Sequence, residues 1–306
     1  MKNHYKFLIL FLIILDIALI ERIMIGTSLV PLLNPQGTVA LQERNLIFAA
    51  VSLMLVVVVP VFALAFYVGW KYHANNSKAA YIPDWDHNIK LQVFIWGFPT
   101  VIICILAGMV WVYAHKLDPH VALASNTKPL TIQVVALRWK WLFIYPDQHI
   151  ATLNYVVFPE KTPVHFELTA SDTPMNSFWI PQLGGQIYAM SGMATQTHLI
   201  ADGIGEYRGS NAEISGAGFA DMTFTAKSVS QSDFSTWVNS VKQSPQTLSL
   251  DTFHKLAKPY KDNKAAFYSS TADNLYTTIV MKYMAHPTIA PGQAQQPNTM
   301  QDMPGM

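Results

Sequence analysis

Cysteine is almost missing from this 306-residue chain: Cys104 stands alone, inside an apolar run. That excludes an intramolecular disulfide and any multi-cysteine metal site. Charge is scarce too, at 13% of residues, and nearly cancels, with 20 basic side chains against 19 acidic ones. With a formal net charge of +1 there is no basic field to hold a phosphate backbone, so nucleic acid is excluded as a partner. Apolar residues are abundant instead, at 51% of the chain with a mean hydropathy of +0.22, which is high for a water-soluble protein. Part of the chain belongs in lipid.

Two uncharged runs predict membrane-crossing helices. The first covers Leu46 to Gly69, between Arg44 and Lys71; as a helix it is roughly 36 Å long, against a hydrocarbon core of about 30 Å. The second covers Leu91 to Ala114, with Trp96 and Trp111 near its ends as interfacial anchors. Pro60 and Pro99 lie inside these spans, where membrane helices tolerate them as kinks. The connecting loop carries Lys71, Lys78 and Lys90 against Asp84 and Asp86, so the positive-inside rule favours it as cytoplasmic and places everything after Ala114 in the periplasm. A shorter run, Phe7 to Ile20, follows Lys2 and Lys6 like the apolar core of a signal peptide. Asp16 interrupts it, and a charge in mid-helix costs on the order of 3 kcal/mol on insertion. A cleaved signal and an additional membrane segment packed on a partner both stay open for residues 1–26. The helical hairpin is expected over 27–115.

From Leu130 the periodicity becomes two, in LTIQVVAL, NYVVF, VHFELT, TQTHLI and MTFTA, separated by Pro, Gly, Asp and Asn turns. This predicts an antiparallel sandwich or small barrel over 116–228. Beyond Ser230 the period is helical: Phe234, Trp237, Val238 and Val241 fall at i, i+3, i+4 and i+7, followed by Leu250, Phe253 and Leu256, and a third helix is expected from Asp273 to Ala285. The helical region spans 229–286. The tail 287–306 has four prolines and few core-forming residues, so disorder is expected, and its Met300, Met303 and Met306 are read as part of a floppy tail rather than as soft copper ligands.

The segment from Ser171 to Ala226, SDTPMNSFWIPQLGG through AEISGAGFADMTFTA, resembles the copper-binding stretch of cytochrome oxidase subunit II. In that family a dinuclear copper centre uses a histidine just before a Ser-Phe pair, then Cys-x-Glu-x-Cys-x-x-x-His-x-x-Met. Here Asn176 precedes Ser177 and Phe178, Asn211 and Ser215 occupy the cysteine positions and Phe219 the second histidine position, while Glu213 and Met222 keep the family identity. Bridging thiolates and imidazoles are what hold such a copper pair, and Asn, Ser and Phe supply neither. Within the family this loss marks the quinol oxidases of the cytochrome bo type. The resemblance extends over about residues 28–286, through LNPQG (Leu33 to Gly37), YIPDWDHNIK (Tyr81 to Lys90), the aromatic stretch Arg138 to Pro159 and KQSPQTLSLDTFHKLAKP (Lys242 to Pro259).

What the resemblance implies is a membrane-anchored, cupredoxin-like sandwich with a small C-terminal helical region. It would act as a subunit of a proton-translocating ubiquinol oxidase in the bacterial inner membrane. This chain itself would bind no cofactor, and haems and copper would reside in subunit I, its partner. Trp139 and Trp141, three and five residues after Ala136, read as core by default, and period two puts both on one face; the resemblance adds a subunit I interface. His165 and His198 are assigned no ligand role, since a lone strand histidine is more often structural. Glu213 is expected to fix its loop. Gln92 stands at the cytoplasmic start of the second span, where many family members carry a glutamate at the mouth of a proton pathway. Gln92 cannot titrate, so Asp86 and His87, with Asp84 beyond them, are the candidate groups for proton uptake. The rivals are a free-standing, membrane-tethered periplasmic binding or copper-handling module, which would purify alone, and a cytochrome c oxidase subunit, which the missing ligands oppose.

Overall fold

The computed structural model describes residues 22, 30–74, 76–78, 87–125, 127–259 and 264–284. The N-terminal run Phe7 to Ile20, Asp84, Asp86 and the tail 287–306 lie outside the described residues.

Helices α1 (Thr38–Lys71) and α2 (Ile89–Lys116) are the two expected spans, each long and apolar enough to cross a membrane. Their apolar side chains are mostly bare: Phe66, Trp70 and Trp96 each keep about three-quarters of their surface open. Asn88 caps α2, its Oδ1 accepting from the Leu91 N–H at 3.1 Å and satisfying one of the first orphan donors of the helix. The 34 residues of α1 give about 51 Å of helix. Its N-terminal end lies against the folded domain and is clamped there. Gln36 N–H donates to the Gln182 carbonyl (2.8 Å), Ala40 N–H to Leu183 (3.1 Å) and Gly185 N–H to Glu43 Oε1 (3.0 Å). Gly37 is needed at this joint because a Cβ there would sit 2.6 Å from the Ile200 carbonyl oxygen. The LNPQG motif is thus the seam between anchor and domain.

Among the described residues, eleven strands build the domain: β1 (Leu130–Leu137), β2 (Lys140–Tyr145), β3 (Ile150–Leu153), β4 (Tyr155–Pro159), β5 (Val164–Ala170), β6 (Asn176–Trp179), β7 (Ile187–Ala189), β8 (Thr195–Leu199), β9 (Gly205–Asn211), β10 (Thr223–Val229) and β11 (Ala266–Tyr268). One sheet has the order β11-β3-β2-β1-β5-β8, the other β4-β10-β9-β6-β7. The all-antiparallel expectation is corrected, since β1 pairs with β5 and β4 with β10 in parallel. Long-range closure of the sandwich decides those pairs, and local pattern carries no signal for it. A second departure comes at ATLNYVVF. Asn154 takes φ +53°, a left-handed conformation asparagine tolerates, and the chain there leaves the first sheet for the second. Its side chain holds the corner by accepting the Trp141 N–H at 2.8 Å.

The two sheets enclose one core, with Trp141, Phe143, Phe158, Phe166 and Phe178 all but fully buried. Helix α3 (Gln231–Lys242) adds Phe234, Val238 and Val241 to it. A second core lies on the outer face of the first sheet, where Val135, Leu142, Ile144 and Leu153 meet Phe253 of α4 (Leu250–Ala257) and Leu275, Ile279 and Val280 of α5 (Leu275–Met284). Strand β2 is therefore buried on both faces, and KWLFIY shows no alternation.

Candidate functional site

The positions where the resemblance looks for copper ligands converge at one end of the sandwich. Asn176 opens β6, Asn211 closes β9, Ser215 lies in the following loop and Met222 precedes β10; all four are buried. Asn211 is the hub. Its Nδ2 donates to Asn176 Oδ1 (2.8 Å) and Ser215 Oγ (2.9 Å) and points at Met222 Sδ (3.5 Å). Its Oδ1 accepts from the backbone N–H of Ser177 (2.7 Å) and of Glu213 (3.1 Å). The amide orientation is fixed by this pattern, because only the carbonyl end can accept two N–H groups. Asn176 is tied in turn, donating from Nδ2 to the Pro174 carbonyl at 2.7 Å and to Thr173 Oγ1 at 3.2 Å.

A dinuclear copper centre does not fit this donor set. The inward-facing N–H groups of Asn211 are directed at the oxygen and sulfur atoms that would have to turn toward a metal, and amide, hydroxyl and a lone thioether supply no bridging thiolate. Among the described residues, no group of three or more His, Cys, Asp or Glu side chains is placed to share a metal ion. Phe219 sits half-exposed in a short helical turn, its N–H donating to the Gly216 carbonyl and its own carbonyl accepting from the Met222 N–H at 3.1 Å. Glu213 helps to fix the loop, and does so through its backbone N–H.

The sequence pattern misplaced one of the two tryptophans. Trp139 is not in a strand; it holds the β1–β2 turn at φ +63°, so period two does not relate it to Trp141. Trp141 is wholly enclosed, with its ring edge-on to Phe178 at 5.4 Å and to Phe224 at 5.8 Å, as its reading as a core residue expects. Trp139 instead covers the hub loop: its Nε1 donates to the Ser215 carbonyl at 3.3 Å, and a Cβ on Gly218 would fall 2.2 Å from its ring. Gly216 and Gly218 in SGAGF were the available signal for such a close approach.

In the first turn of α2, exposed Gln92 lies with Nε2 3.3 Å from His87 Nδ1. A side-chain amide nitrogen donates, so Nδ1 accepts and the proton of a neutral His87 sits on Nε2.

These features define a β-sandwich domain joined to two membrane-competent helices, with the loops at one end of the sandwich tied together by an asparagine. The family model described as "Cytochrome C oxidase subunit II, periplasmic domain" matches residues 148–229, and "COX Aromatic Rich Motif" matches residues 242–287. The chain is 50% identical over 252 residues to a cytochrome bo(3) ubiquinol oxidase subunit 2 of Pseudomonas putida, covering 82% of this chain and 80% of that one. It is 46% identical to the protein of that name from Pseudomonas aeruginosa, with 88% and 81% covered, and 45% identical to ubiquinol oxidase subunit 2 of Acetobacter aceti, with 82% of each covered. The chain belongs to the ubiquinol oxidase subunit 2 family of the cytochrome bo(3) type.

Proposed function

We propose that this chain is the non-catalytic subunit II of a proton-translocating ubiquinol:oxygen oxidoreductase of the bacterial inner membrane. Helices α1 and α2 dock on subunit I within the lipid, and the sandwich stands over the periplasmic face of that subunit. The haems and copper belong to subunit I, where ubiquinol delivers its electrons. The functional units are residues 27–115 as membrane hairpin, 116–228 as cupredoxin-like domain and 229–286 as helical cover.

One observation carries this reading. The Asn211 hub spends every inward-facing polar atom on hydrogen bonds, so the port through which a soluble cytochrome c would pass electrons is closed chemically. The purified complex should consume oxygen with a ubiquinol analogue and not with reduced cytochrome c. Comparable rates with both donors in an oxygen-electrode assay would overturn the assignment, and recovery of the chain without a large haem-bearing partner would overturn the subunit role.

A further inference from the structure

The helical cover leaves part of the first sheet's outer face open. On that uncovered part β5 and β8 run antiparallel with His165 directly opposite His198. Their rings lie 4.5 Å apart, centre to centre, tilted by 48°. The chain leaving α2 crosses this spot, and His198 Nδ1 lies 3.0 Å from the Pro119 carbonyl oxygen. A carbonyl only accepts, so Nδ1 carries the proton and the lone pair of a neutral His198 is on Nε2. Fixing one ring nitrogen on a backbone carbonyl is how metal-binding histidines are commonly oriented. His165 Nε2 is buried and has no hydrogen-bond partner, an arrangement that costs free energy unless something occupies it. Burial, with the facing His198, also holds the His165 imidazole below the usual histidine range, against an opposing pull from Glu167. That favours the neutral ring a metal ligand must present.

The geometry points to a two-histidine site, His165 and His198, for a borderline divalent cation of the first transition row, zinc or copper(II), on the periplasmic domain. Rings this close need only small side-chain rotations to bring both Nε2 atoms onto one ion at about 2.0–2.1 Å. Glu167, two residues along β5 on the same face, is engaged by Gln133 Nε2 at 3.1 Å. Water then fills the remaining positions, which makes the site open and exchangeable, unlike a closed four-ligand structural site. Bound there, the cation ties β5 to the edge strand β8, and through Pro119 to the chain entering from the membrane. It would stiffen the joint between anchor and domain.

The test uses the full chain in detergent. Zinc titrated by calorimetry should show a site in the wild type whose affinity falls by about tenfold or more in His165→Asn and in His198→Asn, and is unchanged in His149→Asn, a turn histidine outside the pair. Zinc should raise the melting temperature of the wild type and not of the pair variants. With one equivalent of copper(II), the electron paramagnetic resonance spectrum of the wild type should show two imidazole nitrogens on the ion. That spectrum decides the matter even if a variant misfolds: fewer than two nitrogens overturns the proposal, as does wild-type zinc affinity in both pair variants.

Discussion

Replacing Asn211 by alanine tests whether an amide now does the joining that a metal pair would do. The change strips Ser177 N–H, in a fully buried residue, of its 2.7 Å acceptor and Glu213 N–H of its 3.1 Å acceptor, and takes the donor from Asn176 Oδ1. A buried group left unpaired costs about 1–3 kcal/mol. Glu213 is only partly buried and water can serve it, so Ser177 and Asn176 dominate, and about 2–4 kcal/mol is expected. The loss is local, because the aromatic core beneath is untouched. Hydrogen exchange on the intact complex is the suitable assay: amides of residues 211–222 should lose protection by roughly 30- to 700-fold, at about 1.4 kcal/mol per tenfold. Asn211→Asp is the sharper variant. It keeps volume and both backbone acceptor bonds, yet sets an oxygen against Asn176 Oδ1, and Asn176 cannot flip without giving up its bonds to Pro174 and Thr173. It should open the loop as much as alanine does. Protection within threefold of wild type in both variants would refute the hub.

Three further outcomes follow from the same geometry. Gly209→Ala should lower stability by about 1–3 kcal/mol, seen as a lower melting temperature, because its Cβ would lie 2.0 Å from the Phe224 ring, which is stacked on Phe178 and has no room to move. The wild-type chain mixed with copper should give no purple thiolate-to-copper absorption, whereas Asn176→His, Asn211→Cys, Ser215→Cys and Phe219→His combined should give it, since Glu213, Met222 and the spacing are in place; absorption in the wild type would refute the ligand argument. Gln92→Leu should leave quinol-driven oxygen consumption largely intact while His87→Ala slows it, because in this 3.3 Å pair the amide is not an ionisable group and the imidazole is; a severe loss in Gln92→Leu at unchanged haem content would show that the amide itself guards proton uptake.

The membrane spans were legible because lipid demands an unbroken apolar run, and β5 and β10 were legible because each keeps one face on the core and alternates accordingly. Strand β2 lost its alternation to a helical cover more than a hundred residues away in sequence, and the turn at Trp139 broke a period that letters alone suggested would continue. At the site, the identity of the replaced positions could be read by spacing, but not what replaced the metal. Asn211 finds its partners 35, 4 and 11 residues distant, and only the closed sandwich brings them together. The same holds for His165 and His198, each a lone strand histidine until register sets them face to face. A copper pair joins its loops through the soft atoms that also carry electrons. An amide joins them through hydrogen bonds and carries none. If the oxidase draws its electrons from quinol in subunit I, selection on this end of the domain keeps only the joining, and four hydrogen bonds from one largely buried amide are chemically sufficient for that.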